Sequence, residues 1–272
     1  MLPLTVWLCS DTTTIDEDVR HSGLLSGLCP QHRPGVGREL ARHLITTCTR
    51  EGDLVAEAFT TGEAMLASAA RLGRRGVALV PHFPLAQHIG ARLRTTLTEP
   101  QQNRVQMRPC RPDQMARALT DHLGEVALVI AAPGPDEAGG HGLQGGAERD
   151  CAGCQARMRA PATEQFGLFL AGAWRVLRPG GVLAITTTAR HHGRRFVDPS
   201  PRLIRQTRSA GFSYAQHVIA LRVPVDGDAL VVQAGPADLA QLRDDRARAL
   251  PPAVTVHADV CLFVKPRNGD AA

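Results

Sequence analysis

Two stretches of the sequence combine reactive residue types with a spacing that can bring them together. Cys151-Ala152-Gly153-Cys154 has the spacing of half a zinc knuckle. A closed zinc site needs two more ligands; His141 lies upstream, and Cys110, His191 and His192 are more distant candidates. With no second CxxC pair, two unpaired thiols in a loop are the expected outcome rather than a zinc site. The second stretch, Arg190-His191-His192-Gly193-Arg194-Arg195, is a basic loop able to meet the phosphates of a nucleic acid. A solvated loop in an arginine-rich chain has the same signature, and no aromatics interleave it as a stacking platform for single strands. No Walker-type loop is present, and no nucleophile has an evident histidine partner. No G-x-G-x-x-G follows the first parallel strand, which argues against a nicotinamide dehydrogenase.

The elements that would position such groups alternate along the chain. Helices are expected over about 38–49, 62–72, 85–95, 113–123, 163–177, 202–210 and 237–249, the first with Leu40, Leu44 and Ile45 on one face. Buried-strand patterns run through Gly52–Phe59, Gly76–Val80, Val105–Met107, Val126–Ala132, Val182–Thr187, Tyr214–Val225 and Val254–Val264, with a first strand near Met1–Cys9. Continuous apolar strands alternating with helices imply an α/β fold, a Rossmann-like, mostly parallel sheet covered on both faces, with an antiparallel strand at its C-terminal edge. Ligands of such sheets sit beyond the carboxyl ends of the strands. The informative positions therefore follow Phe59, Val80 and Ile130. Residues 1–37 form a strand and an irregular lead-in. Residues 133–161 form a glycine-rich, cysteine-containing insertion, all within one expected domain of 1–272.

Bulk composition agrees with one such domain. The chain has 272 residues, 43% hydrophobic but only 4% aromatic, so its core must be built from Leu, Val, Ile and Ala. The net charge is +5, and Lys265 is the only lysine. So much arginine beside abundant Ala, Gly and Pro has the look of a coding bias, which weakens any argument from charge to nucleic acid. Seven cysteines, mostly isolated, suit a reducing cytoplasm better than a disulfide framework. The N-terminus lacks a basic region before its short apolar run, and reads as a strand rather than a signal peptide. No apolar run approaches the roughly 20 residues that a membrane span needs.

Four motifs together resemble class I S-adenosylmethionine-dependent methyltransferases, in particular the amino-methylating DNA methylase and tRNA guanosine methylase-like families. The turn Leu177-Arg178-Pro179-Gly180-Gly181 is the helix-to-strand junction frequent in that fold. The segment Gly52-Asp53-Leu54-Val55-Ala56-Glu57-Ala58-Phe59-Thr60-Thr61-Gly62-Glu63 is similar to the family's cofactor loop. Val80 and His82 stand where the family places a ribose-binding acid, and Ala132-Pro133-Gly134-Pro135 stands at the catalytic motif. The likeness spans roughly 29–266. It implies that Glu57, Phe59, Thr60, Thr61, Gly62, Val80 and His82 would hold S-adenosylmethionine, and that the substrate would be an amino group in DNA or RNA.

The chain departs from the family pattern where the chemistry lies. Thr61 and Glu63 replace two loop glycines, so β-carbons stand where backbone should approach the cofactor, and Glu63 faces the cofactor carboxylate with a like charge. Val80 cannot accept a hydrogen bond from ribose. His82 can do so as a neutral ring, or is simply a loop histidine. Ala132 replaces the polar acceptor for the amine N–H, leaving only backbone carbonyls. Weak cofactor binding is therefore expected, as a divergent methyltransferase or as a non-catalytic binding or regulatory relative.

Overall fold

The computed structural model of the chain describes residues 4–10, 35–134, 163–192, 195–223, 225–226, 229–230 and 256–267. In chain order the strands that build the sheet are β1 (Leu4–Leu8), β2 (Leu54–Ala58), β3 (Arg75–Leu79), β4 (Val105–Arg108), β5 (Val126–Ala131), β6 (Leu177–Thr187), β9 (Ser213–Leu221) and β12 (His257–Val264). Two small antiparallel hairpins supply the rest: β7 (Arg190–His192) with β8 (Arg195–Val197), and β10 (Val225–Asp226) with β11 (Ala229–Leu230). The sheet has eight strands in the order β1-β9-β12-β6-β5-β2-β3-β4. All neighbours pair in parallel except β12, which is antiparallel to both β6 and β9. The last strand of the chain thus lies between β9 and β6 toward one end of the sheet, and β1 takes the edge beyond β9.

Every residue of β2 and β5 is buried, as a sheet covered on both faces requires. One face packs under helices α1 (Arg38–Cys48), α2 (Ala64–Arg71) and α3 (Phe83–Thr96), through Leu40, Leu44, Ile45, Met65, Leu66, Leu85 and Ile89. A four-residue helix, α4 (Glu99–Gln102), precedes β4. The other face packs under α5 (Met115–Ala118), α6 (Thr163–Val176) and α7 (Ser200–Ser209), around Phe166, Phe169, Phe212 and Phe263. Most of the described aromatic side chains thus lie on this second face.

Two local expectations change. The helix expected over 113–123 is broken into a 3-10 turn (Pro112–Gln114), α5, and a second 3-10 turn (Thr120–His122). The Thr120 hydroxyl donates back to the Arg117 carbonyl at 2.7 Å, the local competition that ends helices. The Arg178–Gly181 turn is a loop-out inside β6 rather than a break before it: Leu177 pairs with Val126, and the ladder resumes with Val182 opposite Leu128. Gly180 at φ 77° supplies the left-handed bend. The expected helix 237–249, most of the insertion 133–161, and Pro135, Cys151 and Cys154 within it lie outside the described residues.

Candidate functional site

The register of the central strands decides which sequence positions meet. Glu57 lies opposite Ala78 of β3 and Ile130 of β5. Ala58 pairs with Ala131, and Phe59, Val80 and Ala132 directly follow the ends of β2, β3 and β5. The expected site residues therefore form one row at the carboxyl ends of three adjacent strands, where ligands of such sheets bind.

Glu57 belongs to β2 and points to the same face as Val55, beneath α1 and α2. It is 4% exposed, and its Oε2 has no hydrogen-bond partner. Burial pushes its carboxyl up to about 8; the nearby Thr60 hydroxyl draws it down, and the Glu63 charge raises it again. Near neutral pH, Glu57 is thus a protonated acid with a free oxygen. Thr60 is buried, and its Oγ1, though close enough to the Glu57 carboxyl to lower its pKa, makes no hydrogen bond of ordinary geometry. His82 opens α3 in extended conformation; its ring is buried and its Nδ1 is unpartnered. Buried polar atoms are rarely left unpaired; seven lack a partner among the described residues, and those of Glu57, Thr60 and His82 lie at or just past the carboxyl ends of β2 and β3, where a polar ligand could complete them. Between them Phe59 holds φ 60°, a conformation a bulky residue adopts at a cost of about 1–3 kcal/mol. Its ring is pinned edge-on against Phe169 of α6, centroids 5.1 Å apart. Backbone strain beside orphaned polar atoms is the signature of a site rather than of a core.

The three departures from the family pattern resolve differently. Val80 is buried among the apolar residues beneath the α1–α3 layer, and offers no acceptor. Thr61 is buried, and its Oγ1 accepts a hydrogen bond from the Gly35 amide at 3.2 Å. The residue expected to narrow the cofactor approach thus anchors the chain segment that enters α1. Glu63 occupies the N-cap of α2 and turns to Arg92 of α3, with 3.4 Å between Oε1 and Nε. Beside this pair, burial lowers the pKa of His88 despite the Glu63 charge, which favours a neutral ring.

Ala132, where the resemblance expects a polar acceptor, packs against Gly35. A Cβ placed on Gly35 would come within 2.6 Å of the Ala132 Cβ, so the two residues touch backbone to side chain. Gly35 is held from a second direction as well: its carbonyl accepts a 2.8 Å bond from Arg222 Nη2, just past β9. A longer, polar side chain at 132 would displace this strap. Pro133 and Gly134 follow, half-buried.

Sequence reasoning located Glu57, Thr60, Thr61, Val80, His82 and Ala132 at one end of the sheet. It missed Gly35, Arg92 and Arg222, because each reaches the site through a contact that no local pattern announces. Among the described residues, no group of three or more His, Cys, Asp or Glu could hold a metal. Among them, too, no helix is long and apolar enough to cross a membrane. Arg190 and Arg195 of the basic loop lie on the β7–β8 hairpin.

No family model matches the sequence, and no curated protein matches it. Solved structures do share its fold. A protein assigned as a methyltransferase, in complex with the Trm112 methyltransferase activator of Haloferax volcanii, is 17% identical with a TM-score of 0.53, over 85% of this chain and 90% of that one. TrmN from Thermus thermophilus is 17% identical with a TM-score of 0.49, over 86% of this chain and 50% of that one. The Burkholderia thailandensis 1,6-didemethyltoxoflavin-N1-methyltransferase, with S-adenosylhomocysteine bound, is 16% identical with a TM-score of 0.47, over 84% and 77%. At these identities the likeness shows the fold alone: a Rossmann-like, mostly parallel sheet of the methyltransferase kind, with helices on both faces.

Proposed function

We propose that the carboxyl ends of β2 and β3 bind an adenosyl ligand of the S-adenosylmethionine type. The observation that carries this reading is the trio of buried, unpartnered polar atoms at Glu57, Thr60 and His82, on a sheet end where this architecture places nucleosides. His82 Nδ1, where it carries no proton, can accept a hydrogen bond from a ribose hydroxyl, the part that Val80 cannot play. The protonated Glu57 carboxyl can both donate and accept. These residues fit the nucleoside part of such a ligand. Glu63 does not fit the carboxylate of its methionine part, so the side chains at this end of the sheet support no methyl-transfer step. The cofactor's sulfonium would supply the methyl group for transfer.

Two readings of such a site differ in activity. The sequence resemblance supports methylation of an amino group in DNA or RNA. The packing of Gly35 on Ala132 favours the other, a non-catalytic binding or regulatory protein, because the place of the amine acceptor is filled by the chain's own backbone. The second is the reading we adopt. Calorimetric titration with S-adenosylmethionine, S-adenosylhomocysteine and 5′-methylthioadenosine tests the site; failure of all three to bind at millimolar concentration would remove it. Transfer of labelled methyl from S-adenosylmethionine to nucleic acid, abolished by Glu57→Gln, would return the chain to the active enzymes.

A further inference from the structure

The ligand end that points at α2 meets an unusual arrangement. In an α/β sheet, the helix that follows the first central strand presents its N-terminus, with free N–H groups and a partial positive charge, to the anionic part of the ligand. Here the N-cap of that helix is itself an acid, Glu63. The nearest cation to it, Arg92, is already engaged, and 22% of each side chain is exposed, so the pair is only partly screened by water. Close by stand Glu57 and Thr60, both more than nine-tenths buried and each with an unpartnered oxygen. The polar atoms that await a ligand therefore lie next to a position where its anionic group would meet a carboxylate instead of a free cation.

We propose that this site takes an adenosyl ligand whose sulfur-bound tail carries no carboxylate, and rejects ligands with an amino-acid tail. The inference rests on the adenosyl reading above and names the ligand class within it. A carboxylate at the N-terminus of α2 would meet the charge of the half-buried Glu63, and Arg92 could serve it only by leaving Glu63. A neutral thioether tail meets neither cost. Glu63 thereby acts as a specificity-determining residue: it holds Arg92 and fills the anion position with the chain's own charge.

The test is calorimetry on the full chain near neutral pH, with 5′-methylthioadenosine and S-adenosylhomocysteine as probes, on the wild type and on Glu63→Gln. The substitution keeps the shape, removes the charge and frees Arg92. The wild type should bind methylthioadenosine at least about tenfold more tightly than S-adenosylhomocysteine, a gap of about 1.4 kcal/mol. Glu63→Gln should bind S-adenosylhomocysteine at least about tenfold more tightly than the wild type does, with methylthioadenosine affinity within about twofold of its wild-type value. A gain of binding cannot come from a misfolded variant. Equal or tighter binding of S-adenosylhomocysteine by the wild type, no binding of methylthioadenosine by the wild type, or an unchanged ratio in Glu63→Gln would each overturn the inference. The adenosyl reading itself survives those results as long as either probe binds either protein; if neither probe binds either protein, both fall.

Discussion

The two ends of the same sheet are built on opposite principles. At the amino end of the central parallel strands, charged groups are matched. Arg178, in the loop-out of β6, makes a two-pronged bond to Asp53 at 2.8 and 3.0 Å, and against its partial burial holds that carboxyl below the usual range. Lys265, just past β12, donates to the carbonyls of Trp174 and Leu177 at 2.6 and 2.7 Å, closing the C-terminus of α6, and sits 5.3 Å from the centre of the Trp174 ring. Gly180 and Gly181 exchange backbone bonds with Lys265. At the carboxyl end, by contrast, Glu57, Thr60 and His82 keep free polar atoms, and Phe59 is strained. Satisfied polar groups stabilise a fold, whereas unsatisfied ones cost stability and persist where a ligand completes them. The motif that most resembled a known family, the Arg-Pro-Gly-Gly turn, belongs to the satisfied end, which is why it speaks for architecture and not for chemistry.

The sharpest way to break the comparison is to disturb the satisfied end. Gly181→Ala would set a Cβ 2.9 Å from the Arg178 carbonyl and 3.1 Å from that of Val126, both backbone atoms that cannot swing away. A loss of about 3 kcal/mol is expected in urea denaturation. A loss too small to measure would mean that the turn is not packed as described.

The next effect should carry the opposite sign, because it removes a cost at the unsatisfied end. Glu57 titrates near 4.5 in an unfolded chain and at about 8 when folded. Below the lower value both states hold the proton, and the fold keeps its full stability. As pH rises between the two values, only the unfolded chain ionises, so stability declines until the folded group ionises as well. Glu57→Gln should therefore match the wild type at acid pH and exceed it increasingly toward the upper end of that window, by about 1.4 kcal/mol for each pH unit. Thermal melts across pH would show parallel curves instead if Glu57 were ionised and paired in the fold.

Arg178→Met should cost about 1 kcal/mol, since the ion pair is partly exposed, and a double-mutant cycle with Asp53→Asn should return most of it as coupling. Additive effects of the two substitutions would show that the pair contributes nothing. The smallest stability change is expected at His82→Ala, within about 0.5 kcal/mol of wild type, while adenosyl affinity falls about tenfold. A large loss of stability with no change in binding would move His82 from the site to the scaffold.

How far the sequence led depended on the range of the interaction involved. The β5 run Val126–Ala131 was legible because a strand buried on both faces has no polar position to hide it. Helix α1 was legible from Leu40, Leu44 and Ile45 on one stripe, and the turn at 178–181 from its Pro and Gly residues. Thr120 was not legible as a helix breaker, because its hydroxyl competes only when it folds back on Arg117. Phe59, Val80 and Ala132 could be placed at the strand ends because parallel strands share a direction.

By itself, then, the sequence determined the alternation of elements, the parallel sheet, and the strand ends at which a ligand would sit, since these follow from patterning over a few neighbouring residues. Only the tertiary structure decided what those ends can do. Glu63 looks like a bare charge in the loop before α2 until Arg92, 29 residues away, is seen to pair with it. Ala132 looks like a lost acceptor until Gly35, pinned by Thr61 and Arg222, is seen to fill its place. Such contacts join residues far apart in the chain. Which groups end up paired and which are left free is set by how the packed layers bring those residues together, and no local pattern carries that information.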